Sequence, residues 1–153
     1  MMSNQDLGRF FENEVDKNLK KYLRYTTILR EKDVKANYGI NNSSIDHLII
    51  SDNNIICIQS KWENSKASIS KINHFLMGIN NIHKKNNNKI FGGIYLSKLA
   101  VTEPSKEALL DNNIYTINIY DNDMDNIIEK LLEHLHFTYH IWSYDFDGCI
   151  IMR

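Results

Sequence analysis

The sequence predicts an α/β protein whose mixed β-sheet is flanked by helices on both faces. Apolar residues recur at three- and four-residue steps between residues 4 and 25, which is typical of an amphipathic helix. Two short apolar runs flank a polar turn within residues 45–61, which is typical of a β-hairpin. Strand-like and helix-like segments then alternate along the second half of the chain, as they do when helices connect parallel strands.

The first half of the chain is predicted to contain one long helix and three strands. Ser3 is a suitable N-cap for a helix over residues 4–25. The apolar stripe of this helix consists of Leu7, Phe10, Phe11, Val15, Leu19 and Leu23. Residues 25–40 are interpreted as a short strand, a loop and a glycine. Residues 45–50 and 55–61 are interpreted as two strands joined by the turn SDNN.

The second half is predicted to alternate between helices and strands. The predicted elements are helices over residues 69–85, 103–113 and 123–135 and strands over residues 90–97 and 114–120. The strand IFGGIYLS is apolar along its whole length, which indicates a strand that is buried on both faces.

Length and composition predict a single domain over residues 1–153, with a core at about 5–135 and an aromatic, acidic tail at 136–153 that favours a strand or hairpin. Hydrophobic residues make up 42% of the chain and charged residues 24%, which is typical of globular proteins. No apolar run approaches the roughly 20 residues of a membrane span, so no membrane association is expected. Cys57 and Cys149 form neither a metal motif nor a disulfide framework. An intracellular protein is therefore predicted, cytoplasmic or, in a eukaryotic or viral setting, nuclear.

The charge distribution is uneven although the net charge is only −1. Residues 1–100 contain 15 Lys and Arg against 9 Asp and Glu, whereas residues 101–153 contain 3 against 10. A basic N-terminal segment followed by an acidic C-terminal segment is typical of a protein that presents one side to a polyanion. The alternative interpretation is that both sets of charges are solvated surface.

Polar side chains are predicted to meet at one end of the hairpin over residues 45–61. With the two apolar runs paired directly across the turn, Asp46 lies opposite Gln59, and paired residues project to the same face. Lys61, two residues further on, points to that face as well, and Ser44 lies across from Lys61. The rest of this face is apolar, so charged groups there need partners or a metal ion.

These residue types suit a site for Mg²⁺, which prefers oxygen ligands. The carboxylate of Asp46, the side-chain carbonyl of Gln59 and the backbone carbonyl of Ser60 are candidate ligands. Lys61 has no acceptor and is instead a candidate for orienting a water nucleophile or stabilising charge on a phosphate. His47 points to the opposite face and is interpreted as a packed histidine. The alternative is that Asp46 caps a turn and that the strand end is merely solvated.

In its motifs the sequence resembles the PD-(D/E)xK nuclease superfamily, above all its Mrr-like restriction endonucleases and archaeal Holliday-junction resolvases. The motifs that carry the resemblance are GRFFE at residues 8–12, GINNSSID ending at Asp46, and QSK at residues 59–61. The helices and strands that follow QSK come in the order of the family core, and the similarity covers residues 5–135. The resemblance implies a restriction-endonuclease-like fold.

The resemblance also implies a metal site that uses Mg²⁺, with Mn²⁺ as an alternative. Glu12 is similar to the acid that completes this site, directly or through water, beside Asp46, Gln59 and Ser60. Glu14 is an alternative acid, but it lies about 200° further around the helix, so only one of the two can face the site. Many family members have Glu where this chain has Gln59, and the neutral amide is expected to weaken metal binding.

A metal-dependent DNA endonuclease that hydrolyses phosphodiester bonds is the expected function, restriction-like or junction-resolving. Two antiparallel strand breaks need two active sites, so a homodimer is expected. Candidate contacts to nucleic acid are Ser44, Trp62 (by stacking on a base), Lys66 and Lys71. The alternatives are a catalytically inactive DNA-binding module, a protein-interaction domain, and RNA as the substrate.

Overall fold

The structure is a computed structural model that describes residues 3–39, 45–62, 66–86, 88–118 and 123–143. Its elements, in chain order, are α1 (Asn4–Tyr22), β1 (Thr27–Arg30), α2 (Glu31–Tyr38), β2 (His47–Ile50), β3 (Asn54–Lys61), α3 (Ile69–Lys85), β4 (Ile90–Ser97), α4 (Glu103–Asp111), β5 (Ile114–Asn118) and α5 (Met124–Tyr139).

The five strands form one mixed sheet in the order in which they occur along the chain. β1, β2 and β3 are antiparallel neighbours, whereas β3, β4 and β5 run parallel to one another. Ile50 pairs with Ile55, and the Ser51 N–H donates to the Asn54 carbonyl at 3.0 Å, closing a two-residue loop. The predicted register of the hairpin is therefore confirmed for His47–Ile50 and Ile55–Ile58.

Helices cover both faces of the sheet, as predicted, and each face has its own apolar core. The helical residues of the first core are Phe11, Val15 and Leu19 of α1 and Ile127, Ile128, Leu131, Leu132 and Leu135 of α5. Those of the second core are Val34 of α2, Ile72, Phe75 and Ile82 of α3, and Leu109 of α4. β4 is buried from Gly92 to Ser97 and contributes to both cores, which confirms its predicted burial. No helix in the described ranges combines the length and the hydrophobicity that crossing a membrane requires.

The segment after β1 is helical, so the loop predicted there is wrong. α2 follows β1 directly, and the Arg30 N–H donates to the Asp33 carboxylate at 3.3 Å in its first turn. Val34 is the buried residue of this helix and packs on the second core. Eight residues with one apolar anchor give almost no periodic signal, which is why the sequence pattern did not indicate a helix.

Several boundaries and one buried position also differ from the sequence prediction. α1 begins after the predicted cap Ser3, whose side chain accepts from the Asp6 N–H, but it ends at Tyr22 because Leu23 is extended. Phe10, predicted on the apolar stripe, is 52% exposed. α5 continues to Tyr139, so the first four residues of the predicted tail are helical. β5 is described as far as Asn118, and both the remaining predicted residues 119–120 and the predicted tail beyond residue 143 lie outside the described residues.

Gly92 lets α5 approach β4 closely. A Cβ atom there would overlap the hydroxyl group and ring of Tyr139, the last residue of α5. We expect Gly92→Ala to lower the free energy of unfolding by about 2 kcal/mol in urea denaturation, because overpacking forces the ring or the helix to move. Gly8→Ala is the matched control: a Cβ there meets nothing closer than Trp62 Cβ at 3.9 Å, and alanine favours the helix by about 0.5–1 kcal/mol. Equal stability of the two variants would contradict the packing of α5 on β4.

Candidate active site

An open groove of about 290 Å³ lies between α1 and the C-terminal end of β3. Its lining residues are Gln5, Gly8, Arg9 and Glu12 of α1 and Gln59, Ser60, Lys61 and Trp62 at the strand end. We call it the α1–β3 groove. It therefore brings together five of the residues that the sequence singled out: Glu12, Gln59, Ser60, Lys61 and Trp62.

Asp46 lies next to this groove and is held by the backbone of β3. Its own N–H donates to the Ile58 carbonyl at 2.9 Å, although Ile58 is the pairing partner of His47, so the predicted pairing of Asp46 with Gln59 does not form. Its Oδ2 accepts from the Ser60 N–H at 2.8 Å, and the residue is only 6% exposed. The carboxyl group is thus fixed in position by the same strand end that carries Gln59 and Lys61.

The carboxyl groups of Asp46 and Glu12 interact with each other directly. Burial raises the pKa of Asp46 to about 8, the neighbouring Glu12 carboxyl adds to this rise, and the Ser60 N–H opposes it. Burial also raises the pKa of Glu12, while its hydrogen bond with Asp46 and the charges of Arg30 and Arg9 oppose the rise. Two acids that share a partly desolvated site favour a proton or a cation between them.

Gln59 supplies a side-chain oxygen that no group in the described part of the chain satisfies. Its Oε1 is buried and has no hydrogen-bond partner among the described residues. A desolvated acceptor of this kind is costly unless a donor or a cation reaches it. The described ranges contain no group of three His, Cys, Asp or Glu side chains suited to a metal, so a cation here needs amide and backbone oxygens beside the two carboxylates. The donor set of Asp46, Glu12, Gln59 and the Ser60 carbonyl fits a hard, oxygen-preferring ion.

Lys61 is half-buried at the end of β3 and lines the α1–β3 groove. Its backbone carbonyl accepts from the Lys98 N–H at 3.0 Å, which ties the strand end to the residue that follows β4. Trp62 is also half-buried, with its ring centroid 5.6 Å from that of Phe11 and 5.1 Å from Lys98 Nζ. The indole therefore already contacts an aromatic ring and a cation, and its stacking on a base stays a prediction.

The other predicted residues lie outside the α1–β3 groove. Lys66 and Lys71 are exposed, before α3 and in its first turn, and neither lines the groove. Glu14 does not line it either, so Glu12 is the acid of α1 that faces the groove. Ser44 lies outside the described residues.

Sequence reasoning missed Arg9 and Lys98, although both left a signal. Arg9 precedes Glu12 by three residues and so lies on the same side of α1. Lys98 directly follows β4, where Ser97 pairs with Lys61. Because parallel strands end at the same edge of a sheet, the residue after β4 could have been placed near the end of β3 from sequence.

His47 is packed as predicted, but its predicted orientation away from Asp46 is wrong, because both residues contact α1. The Asp46 N–H donates to the carbonyl of Ile58, which is the pairing partner of His47, so two residues oppose one and the alternation of faces is broken there.

His47 is fully buried, and its Nε2 lies 3.6 Å from Asp16 Oδ1. Burial lowers the pKa of His47 to about 4, so the ring is neutral at physiological pH. Asp16 also pairs with Lys20 at 3.0 Å and lies one turn beyond Glu12. His47 therefore lies against the part of α1 that presents Glu12.

Comparison with solved structures gives a match at the level of the fold. A chain in a complex described as "Structure of EndoMS-dsDNA2 complex" superposes with a TM-score of 0.53 at 14% sequence identity. The fold is restriction-endonuclease-like. The match covers 77% of this chain and 46% of the other, so this chain spans less than half of the length of that neighbour. No family model and no curated protein matches the sequence.

Proposed function

We propose that this protein is a metal-dependent endonuclease of the PD-(D/E)xK type that hydrolyses phosphodiester bonds in DNA. One observation carries the proposal. The α1–β3 groove is lined by Glu12, the unsatisfied Gln59 oxygen and Lys61, and Asp46 lies next to it in contact with Glu12. Carboxylates, an amide oxygen and an ammonium group are the parts that divalent-metal hydrolysis of a phosphodiester requires.

Mg²⁺ or Mn²⁺ would be held by the carboxylates of Asp46 and Glu12, the side-chain oxygen of Gln59 and the backbone carbonyl of Ser60. A bound ion would screen the phosphate charge and increase the acidity of water. The Ser60 N–H keeps the Asp46 carboxylate in one orientation through its 2.8 Å hydrogen bond. The ammonium of Lys61 orients the attacking water and stabilises the negative charge that develops on the phosphate.

DNA is the proposed substrate because the groove combines a metal site with cationic side chains. Arg9 and Lys61 line it, and Lys98 is hydrogen-bonded to the same strand end. The structural neighbour is itself in a complex with double-stranded DNA. We further propose a homodimer, since cutting both strands of a duplex requires two sites, and an intracellular location where DNA is present.

A DNA-binding module without catalysis is the second candidate, and Gln59 is the observation that favours it. An amide in place of an acid lowers the negative charge of the metal site, and ligand charge is one of the factors that set affinity for hard cations. Gln59→Glu therefore separates the two candidates. A weak enzyme gains activity at low Mg²⁺ concentration from this change, whereas a module that lacks catalytic geometry stays inactive.

The proposal is tested by incubating the protein with a linear duplex, a four-way junction and a single strand, each with Mg²⁺, Mn²⁺ or EDTA. We expect cutting of DNA in the presence of either metal and none in EDTA. Preference for the duplex or for the junction distinguishes restriction-like from junction-resolving activity. Binding without cutting by both the wild-type protein and Gln59→Glu would favour the silent module. Absence of any DNA binding at low salt would overturn the proposal.

A further inference from the structure

The backbone of Lys98 is held next to the C-terminal end of β3, which carries Lys61. β4 ends at Ser97, which pairs with Lys61 in the parallel ladder. The Lys98 N–H continues this pairing by donating to the Lys61 carbonyl at 3.0 Å. The Ser97 hydroxyl donates to the Leu99 carbonyl, which holds the chain as it leaves the strand. Lys98 is therefore placed by the sheet itself and not by a loose surface loop.

The side chain of Lys98 is directed by Trp62. Its Nζ lies 5.1 Å from the centroid of the indole ring, within the range of a cation–π interaction. The ring is held in turn by Phe11 of α1, with centroids 5.6 Å apart, and it packs against the first core. A lysine normally loses considerable side-chain entropy when it binds a ligand. Because the indole already restricts the Lys98 side chain, part of this entropy is lost before a ligand binds.

We propose that Lys98 binds a backbone phosphate of the nucleic acid beside the one that is cleaved, and that Trp62 is a positioning residue for this contact. The inference rests on the proposed function and adds a substrate-binding residue to it. Lys98 on one side and Arg9 on α1 place positive charge at the rim of the α1–β3 groove. Phosphates repeat along each strand, so a cation next to Lys61 meets the neighbouring phosphate.

The role assigned to Trp62 differs from stacking on a base. If the indole serves to direct the ammonium, then any aromatic ring of sufficient size preserves the effect, and an aliphatic side chain does not. The contribution to binding is then electrostatic and falls with salt concentration.

The test measures duplex binding by fluorescence anisotropy at several salt concentrations, with Ca²⁺ in place of Mg²⁺. We expect Lys98→Ala to weaken binding about fivefold and to reduce the slope of log affinity against log salt by about 0.9, the value for one lost phosphate contact. Lys106→Ala, on the exposed surface of α4, is the matched control and should change neither quantity.

Trp62 is tested in the same assay with two replacements. Trp62→Phe should retain the wild-type affinity and salt slope, whereas Trp62→Leu should lose part of both. Adding Trp62→Leu to Lys98→Ala should not weaken DNA binding further, because the two residues act together. Thermal unfolding of each variant separates this effect from loss of the fold. An unchanged slope in Lys98→Ala, or a full further loss in the double variant, would overturn the inference while the proposed function stands. Failure of the wild-type protein to bind DNA would instead overturn the proposed function.

Discussion

Replacing Lys61 by alanine is expected to reduce metal-dependent DNA cleavage by roughly 10²–10³-fold, measured as single-turnover rates with saturating enzyme. Lys61 lines the α1–β3 groove beside the proposed metal ligands but has no acceptor, so its contribution is made to the reacting groups. The loss should therefore appear in the chemical step. Affinity for DNA should fall by no more than the removal of one phosphate contact allows.

Two variants make this result specific. Lys106→Ala removes a lysine from the exposed surface of α4 and should cleave at the wild-type rate. Lys61→Arg keeps the charge but replaces a compact ammonium by a planar group, so it should recover binding more than cleavage. Cleavage by Lys61→Ala at the wild-type rate, in protein free of contaminating nuclease, would remove Lys61 from the mechanism.

Asp46→Asn is expected to have opposite effects on activity and stability. Cleavage should be lost, because an amide in place of the carboxylate removes the best-positioned anionic ligand. Stability without metal should be unchanged or higher by about 1 kcal/mol, a rise in Tm of roughly 2–4 °C. The amide oxygen still accepts from the Ser60 N–H, and its NH₂ donates to Glu12 where two acids previously faced each other.

The stability measurement distinguishes a functional acid from a structural one. Mg²⁺ should raise the Tm of the wild-type protein, because it binds only the folded state, and should leave Asp46→Asn unchanged. Asp111→Asn, at the exposed end of α4, is the control and should respond to Mg²⁺ like the wild type. A marked loss of stability in metal-free Asp46→Asn would indicate that the carboxylate supports the fold instead of a metal.

The hairpin register was predictable from sequence because two apolar runs flank a short polar turn. A shift by one residue would have turned the apolar set of β2 and β3 to the wrong faces, so the pairing of Ile50 with Ile55 had no close competitor. The register does not extend to the predicted pair of Asp46 and Gln59, because the Asp46 N–H donates to the Ile58 carbonyl. Apolar periodicity also predicted α3 and β4 at their observed boundaries, since both carry long apolar patterns.

The approach of α1 to this strand end was not predictable from periodicity. Glu12 was singled out by a family motif, because a helical pattern indicates which face is apolar but not which end of the sheet that face covers. Phe10 shares the apolar spacing yet is exposed, because the face of α1 that packs on the sheet carries its neighbour Phe11. The positions of Arg9 and Lys98 near the groove follow from the same packing, and no sequence motif marks either residue.

The most direct measurement is the binding of Mn²⁺, followed by the electron paramagnetic resonance signal of the free ion during titration of the protein. We expect the wild-type protein to bind about one ion per chain at the α1–β3 groove, and Asp46→Asn and Glu12→Gln to bind it far more weakly. Mn²⁺ binding that is absent from the wild type, or equally strong in Asp46→Asn, would contradict a metal site between these carboxylates and Gln59.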